Sequence, residues 1–251
     1  MDFLYNPEIG HAQWLALGIT ALFIGMSKTG VFGIVTVMVP VMAHYFGGKP
    51  SSGVVLPMLI MADLFAVAWY RRHAELKYLF KLLPWSFAGV LLGTYFGKHV
   101  NDEVFKSMMG GIILLSLAIM VWRDRQRASE AVPDYGWFAA LMGLAAGFTT
   151  MVGNLAGAIT ALYFLSMRLP KNVFIGTGAW FYLIVNSFKV PFHVFSWETI
   201  TLDTFLLNLG MFPLIALGAF LGFKITGRIS EPFYRKFVIG MTFLSAGLLF
   251  L

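Results

Sequence analysis

Ser27, Lys28 and Thr29 stand between Gly25 and Gly30 inside an otherwise apolar stretch of the chain. The lysine brings a positive charge, the hydroxyls bring short-range donors, and the glycines leave backbone amides uncovered. Such groups together suit the binding of a small anion. A charged side chain at the centre of a bilayer is disfavoured by about 2.5–3.5 kcal/mol on translocon scales, so Lys28 needs either a task or a partner. The competing reading is that it snorkels to an interface or pairs with a buried carboxylate.

A second cluster, Thr149, Thr150, Gly153 and Asn154, offers neutral hydrogen bonds without charge. Helix packing would explain it equally well. Ser27, Lys28, Thr29, Gly30, Thr149, Thr150, Gly153 and Asn154 are the candidate substrate-binding residues. Asp63 is the one acid expected within a span. It is a candidate coupling or gating group, a partner for Lys28, or a residue near the cytoplasmic boundary. Asn186 is its neutral counterpart, and Thr177 and Asn208 are weaker candidates of the same kind. No residue is assigned a catalytic role. The five histidines fall mainly in flanks without metal-ligand spacing, so neither a metal nor another cofactor is expected.

These clusters must be positioned by membrane helices. The chain has 251 residues, of which 59% are hydrophobic and 12% charged. A soluble domain carries about 25% charged residues, and so few here could not wet a globular surface. Soluble enzyme, disordered tail and nucleic-acid binder are poor fits. The absence of cysteine removes disulfides and thiolate chemistry. The acidic start, Met1 to Glu8, lacks the basic region of a signal peptide.

A hydrocarbon core about 30 Å thick takes roughly 20 apolar helical residues. Simple spans are expected at 52–70, 79–97, 105–122, 173–190, 204–223 and 237–251. Residues 12–46 and 136–167 are too long for one ordinary span, and each is interrupted by small and polar residues. Each is either one tilted helix or two half-length helices in a re-entrant hairpin. Basic residues favour cytoplasmic flanks, and that preference decides for the hairpin. With two hairpins, 13 of the 18 Lys and Arg fall on the cytoplasmic flanks. Lys49, Lys98, Lys106 and Lys189 fall outside, and Lys28 alone is left away from any surface. The N- and C-termini are then outside and the 123–135 linker is cytoplasmic.

The two halves echo each other. Leu92-Gly93-Thr94-Tyr95-Phe96-Gly97 resembles Leu217-Gly218-Ala219-Phe220-Leu221-Gly222, and Glu103-Val104-Phe105 resembles Glu231-Pro232-Phe233. Asp63-Leu64-Phe65-Ala66-Val67 matches Asn186-Ser187-Phe188-Lys189-Val190. The expected fold is therefore an all-α polytopic membrane protein of two inverted repeats, 1–122 and 136–251. Each is a broken hairpin followed by three transmembrane helices. Inverted repeats with broken helices are a recurrent frame for alternating-access transport at the midplane. The Gly-x3-Gly runs read as helix-packing stripes. Trp85, Trp122, Trp137 and Trp197 read as interfacial anchors.

The broken segments Gly25-x-x-Lys28-x-Gly30 and Gly147-x5-Gly153-Asn154, with Leu-Gly-x3-Gly and Glu-x-Phe in each half, resemble the TauE/SafE sulfite exporter family. The resemblance covers roughly 12–250. It implies a prokaryotic inner-membrane carrier of sulfite, sulfoacetate or other organosulfonates. The expected partners are a small anion, the lipid bilayer and, for coupling, protons, with homo-oligomers open and nucleic acid excluded. A passive anion channel or uniporter is the alternative. An intramembrane enzyme fits less well, because Asp63 lacks a second deep acid or histidine.

Overall fold

The computed structural model describes residues 10–31, 33–125 and 135–228, together with Ser230, Phe233 and Gly240. The expected last span, 237–251, and most of the 123–135 linker lie outside the described residues. What is described is helical, with no strand among it.

The helices are α1 (His11–Lys28), α2 (Met38–Phe46), α3 (Gly48–Tyr70), α4 (Leu76–His99), α5 (Asp102–Arg125), α6 (Gly136–Gly153), α7 (Ala156–Ser166), α8 (Lys171–Pro191), α9 (Leu202–Gly210) and α10 (Phe212–Thr226). Among the described residues, four helical segments are long and apolar enough to cross a membrane: Gly48–His73, Leu76–His99, Gly136–Gly153 and Lys171–Ser196. The bent pair α9–α10 adds a fifth if it forms one span. This is a multi-pass membrane architecture. Leu64, Trp69, Phe80, Tyr95, Trp137 and Phe220 stand exposed, as apolar residues do when the solvent is lipid.

Both long segments break, but not at half-length. The helix α1 runs through Gly25 to Lys28 and stops at Thr29, while α6 runs through Gly147 to Gly153. Each has 18 residues, about 27 Å of helix. The returning arms are shorter, at 9 residues for α2 and 11 for α7. The expected equal halves are therefore corrected to a long arm and a short one. Glycines inside a transmembrane helix are tolerated where neighbours pack closely, and the chain turns only where left-handed backbone is available. Gly30 and Gly33 supply it in the first break, with φ of 130° and 89°. Asn154, at φ 59°, supplies it in the second.

A further correction concerns 204–223, expected as one span. It divides at Met211 into α9 and α10, bent by 49°. Pro213 in the first turn of α10 is compatible with such a start, because a first-turn residue needs no helical N–H partner. At the end of α8, Pro191 is followed by a π-helical turn, Phe192–Ser196, closed by Trp197 N donating to Phe192 O at 2.9 Å.

Glycine stripes set the helix pairing. A Cβ on Gly147 would lie 2.0 Å from Ser86 O, and one on Gly89 would lie 2.2 Å from Leu144 O. The long arm α6 is thus pressed backbone to backbone on α4, and Gly143 against Leu82 with Gly93 against Met151 makes the two parallel. In the same way α1 lies on α10, where a Cβ on Gly25 would meet Ile215 O at 2.2 Å and one on Gly218 would meet Leu22 O at 2.1 Å. Ser86 Oγ donates to Gly143 O at 3.1 Å, and Thr29 Oγ1 to Ala219 O at 3.0 Å, one seal in each pair. Between them α3 and α8 pack antiparallel. A Cβ on Gly176 would meet Tyr70 O, and one on Gly53 would meet Thr199. At the start of α3, Asp102 accepts from the backbone amides of Gly48 and Lys49 at 3.1 and 3.0 Å. An otherwise unpaired helix N-terminus is satisfied there.

Candidate functional site

The breaks and the antiparallel pair α3–α8 meet around a cavity with about 470 Å³ of empty space, partly open. Its lining includes Ser27 and Lys28 from α1, Gly33, Val35 and Thr36 from the first break, and Leu59 from α3. The second half of the chain contributes Thr150, Asn154, Gly157, Tyr182 and Asn186. A more apolar cavity of about 370 Å³ adjoins it, sharing Val35, Leu59 and Asn154.

Charge in this region is organised around Asp63, which is fully buried. Lys28 Nζ lies 2.8 Å from Asp63 Oδ1, and Asn186 Nδ2 donates to Asp63 Oδ2 at 2.7 Å. The ammonium of Lys28 also sits 4.0 Å from the centre of the Tyr182 ring. Attraction to the ring face adds to the carboxylate in holding it. The Tyr182 hydroxyl in turn is hydrogen-bonded to Thr160 Oγ1 on α7. Lys28 therefore lines the cavity and pairs with a buried carboxylate, which is the pairing alternative expected for it. One ion pair joins α1 to α3, and one amide joins that pair to α8.

Lys189 overturns an expectation. It was placed on an outer flank, yet it is 0% exposed. Its Nζ donates to Asn154 Oδ1 at 2.6 Å, Thr150 Oγ1 at 3.3 Å and Asn186 Oδ1 at 3.4 Å. Asn154 is fixed from its other side, because its Nδ2 donates to Ser52 O on α3 at 3.1 Å. The expected span ended at 190, which made Lys189 look terminal. In the structure the helical segment continues to Ser196, and Lys189 lies well inside it. The signal was present: Lys189 follows Asn186 by three residues and Tyr182 by seven, one face of one helix.

The remaining candidates separate. Ser27, Lys28, Thr150, Asn154 and Asn186 line the cavity, and Asp63 holds Lys28. Thr29 is spent on packing, donating to Gly25 O at 2.9 Å and to Ala219 O. Gly30 is a turn residue against Thr226. Thr149 donates to Ala146 O at 3.2 Å within its own helix, and Gly153 lines only the apolar cavity. Thr177 Oγ1 accepts from Glu75 N at 3.0 Å, and Asn208 donates to Thr204 O within α9. Both are structural. Sequence reasoning missed Lys189, Tyr182 and Thr36. Two further expectations are corrected. Trp197 is no interfacial anchor but is buried, donating to Thr94 O at 3.1 Å beside Gly97. His193 is likewise buried, its Nδ1 at 2.8 Å from Thr199 Oγ1.

Two lysines and one carboxylate at a cavity between broken helices form a site suited to a small anion. The family described as sulfite exporter TauE/SafE matches residues 17–249. The chain belongs to the TauE/SafE sulfite exporter family. That family comprises membrane transporters of small anions, and the match takes in all of α6, α1 from Leu17 onward and every residue of the cavity. No curated protein and no solved structure matches the chain.

Proposed function

We propose that this TauE/SafE protein is a secondary transporter of small sulfur-containing anions, sulfite, sulfoacetate or other organosulfonates. In this reading it works by alternating access at the cavity between the two helix breaks. The carrying observation is the polar cavity itself, with the ammonium of Lys28 in its wall and that of Lys189 directly behind Asn154 and Thr150. Non-helical backbone at membrane depth is tolerated only inside protein or along a watery cavity, and both breaks adjoin one.

The helix pairing supports an inverted-repeat mechanism. Each long arm packs on a glycine-rich helix of the other half, α1 on α10 and α6 on α4, while α3 and α8 face each other across the site. Rocking the α1–α10 pair against the α6–α4 pair would then open the α3–α8 seam on alternate sides. Asp63 and Asn186 bridge that seam through a single hydrogen bond, so they are the natural coupling or gating pair. An inside-negative potential favours export of an anion by about 2.3 kcal/mol per charge per 100 mV.

The test is flux into proteoliposomes holding the purified protein, against sulfite, sulfoacetate, taurine, sulfate and lactate. Saturable movement of sulfite or a sulfonate in preference to lactate is expected. Flux that never saturates would replace the carrier with a passive channel.

A further inference from the structure

The cavity carries more positive charge than its carboxylate balances. Asp63 is the only buried carboxylate among the residues whose side chains are described, and both of its oxygens are engaged, by Lys28 and by Asn186. Lys189 has no share in it by direct contact. Its three hydrogen bonds go to neutral oxygens, the amides of Asn154 and Asn186 and the hydroxyl of Thr150. All three belong to residues that line the cavity. The ammonium therefore stands one side chain behind the cavity wall, against three of the residues that form it.

A buried charge is stable only when paired or well hydrogen-bonded, and neutral acceptors leave the charge itself unbalanced. Two ammonium groups and one carboxylate sum to a formal charge of +1. We infer that Lys189 is the charge-selecting residue of this site and that the transported anion is its counter-ion. The Lys28–Asp63 pair is internally neutral: it ties α1 to α3 and orients the Lys28 ammonium over Tyr182, but adds no net attraction for an anion. The inference rests on the anion-transport reading above and sharpens it, because it makes Lys189 rather than Lys28 the origin of selectivity for negative charge.

Asn154 passes that selectivity to the cavity. Its left-handed backbone and its bond to Ser52 O fix the amide so that Oδ1 faces Lys189. An anion arriving beside Asn154 and Thr150 neutralises the ammonium behind them without displacing it from the protein. A dianion would overcompensate a net single charge, so monoanionic forms are preferred.

The experiment measures the KM for sulfite uptake into proteoliposomes for four proteins: wild type, Lys189→Gln, Lys189→Arg and the double variant Lys28→Gln with Asp63→Asn. Thermal melting in detergent with and without sulfite gives a second readout. KM should rise at least tenfold in Lys189→Gln, with most of the loss recovered in Lys189→Arg. The double variant, which removes equal and opposite charges, should raise KM by less. Sulfite should raise the melting temperature of wild type but not of folded Lys189→Gln. A KM in Lys189→Gln within threefold of wild type overturns the inference. So does a larger effect in the double variant. Absence of saturable sulfite flux in wild type would instead remove the transport reading on which the inference stands.

Discussion

Lys28 Nζ and Asp63 Oδ1 stand 2.8 Å apart across α1 and α3, both withdrawn from solvent. Removing one partner of a buried pair strands the other charge, a loss of about 3–5 kcal/mol, whereas replacing both is far milder. Lys28→Gln alone should therefore melt well below wild type in detergent, and adding Asp63→Asn should recover most of the difference. A double variant no more stable than the single one would show that the pair does not hold α1 on α3.

The ring of Tyr182 lies under the Lys28 ammonium. A desolvated cation–π contact contributes about 0.5–2 kcal/mol. Tyr182→Leu should destabilise the protein within that range. Tyr182→Phe keeps the ring, loses only the hydroxyl bond to Thr160, and should stay nearer to wild type. Equal losses in both, read by thermal melting, would assign the effect to the hydroxyl instead.

Close helix contact makes a sharp steric prediction. A methyl at Gly147 would fall 2.0 Å from Ser86 O, which is backbone and cannot turn aside, whereas a methyl at Gly111 meets nothing within 4 Å. Gly147→Ala should destabilise by about 1–3 kcal/mol through overpacking of α6 on α4. Gly111→Ala should be neutral or mildly stabilising, because alanine is the better helix former. The melting temperatures of the two variants check this directly.

Cysteine labelling tests the path of the chain, since the protein has no cysteine of its own. The start of α8 lies against the turn after α3, with Glu75 N bonded to Thr177 Oγ1. His73→Cys and Pro170→Cys should accordingly react with an impermeant reagent from one side of the membrane, and Asn101→Cys and Asp203→Cys from the other. Pro170→Cys reacting together with Asn101→Cys would contradict a re-entrant α6–α7 hairpin.

Much of this fold was legible because lipid imposes simple rules on sequence. Apolar length placed α3, α4 and α8, and glycine with polar interruptions marked the two broken segments. The points of breakage were not legible. Gly25 and Gly147 read as interruptions, but each serves close packing on a partner helix, and packing depends on residues nearly 200 positions away for Gly25 and about 60 for Gly147. The site divided along the same line. Lys28 and Asp63 stood out because charge inside an apolar run is rare. Lys189 did not, because a lysine near the end of a predicted span is usually at an interface, and only the helical continuation through Phe192–Ser196 buries it. Thr29 and Thr149 were of the right type and in the right segments, but their hydroxyls satisfy backbone carbonyls. Residue type locates a polar cluster, while the direction of each side chain decides which members face the cavity.

The central claim is that a small anion occupies the cavity between the breaks. Thr36 lines that cavity and is partly exposed, so Thr36→Cys in this cysteine-free chain gives a direct probe. The decisive measurement is the rate at which a sulfonate-bearing methanethiosulfonate reagent modifies Thr36→Cys, with and without sulfoacetate, which unlike sulfite does not consume the reagent, beside Asn101→Cys in the exposed connection between α4 and α5. The expected result is that sulfoacetate slows modification at position 36 in a saturable way and leaves position 101 unaffected. Modification at position 36 that proceeds at the same rate at every sulfoacetate concentration would contradict that claim.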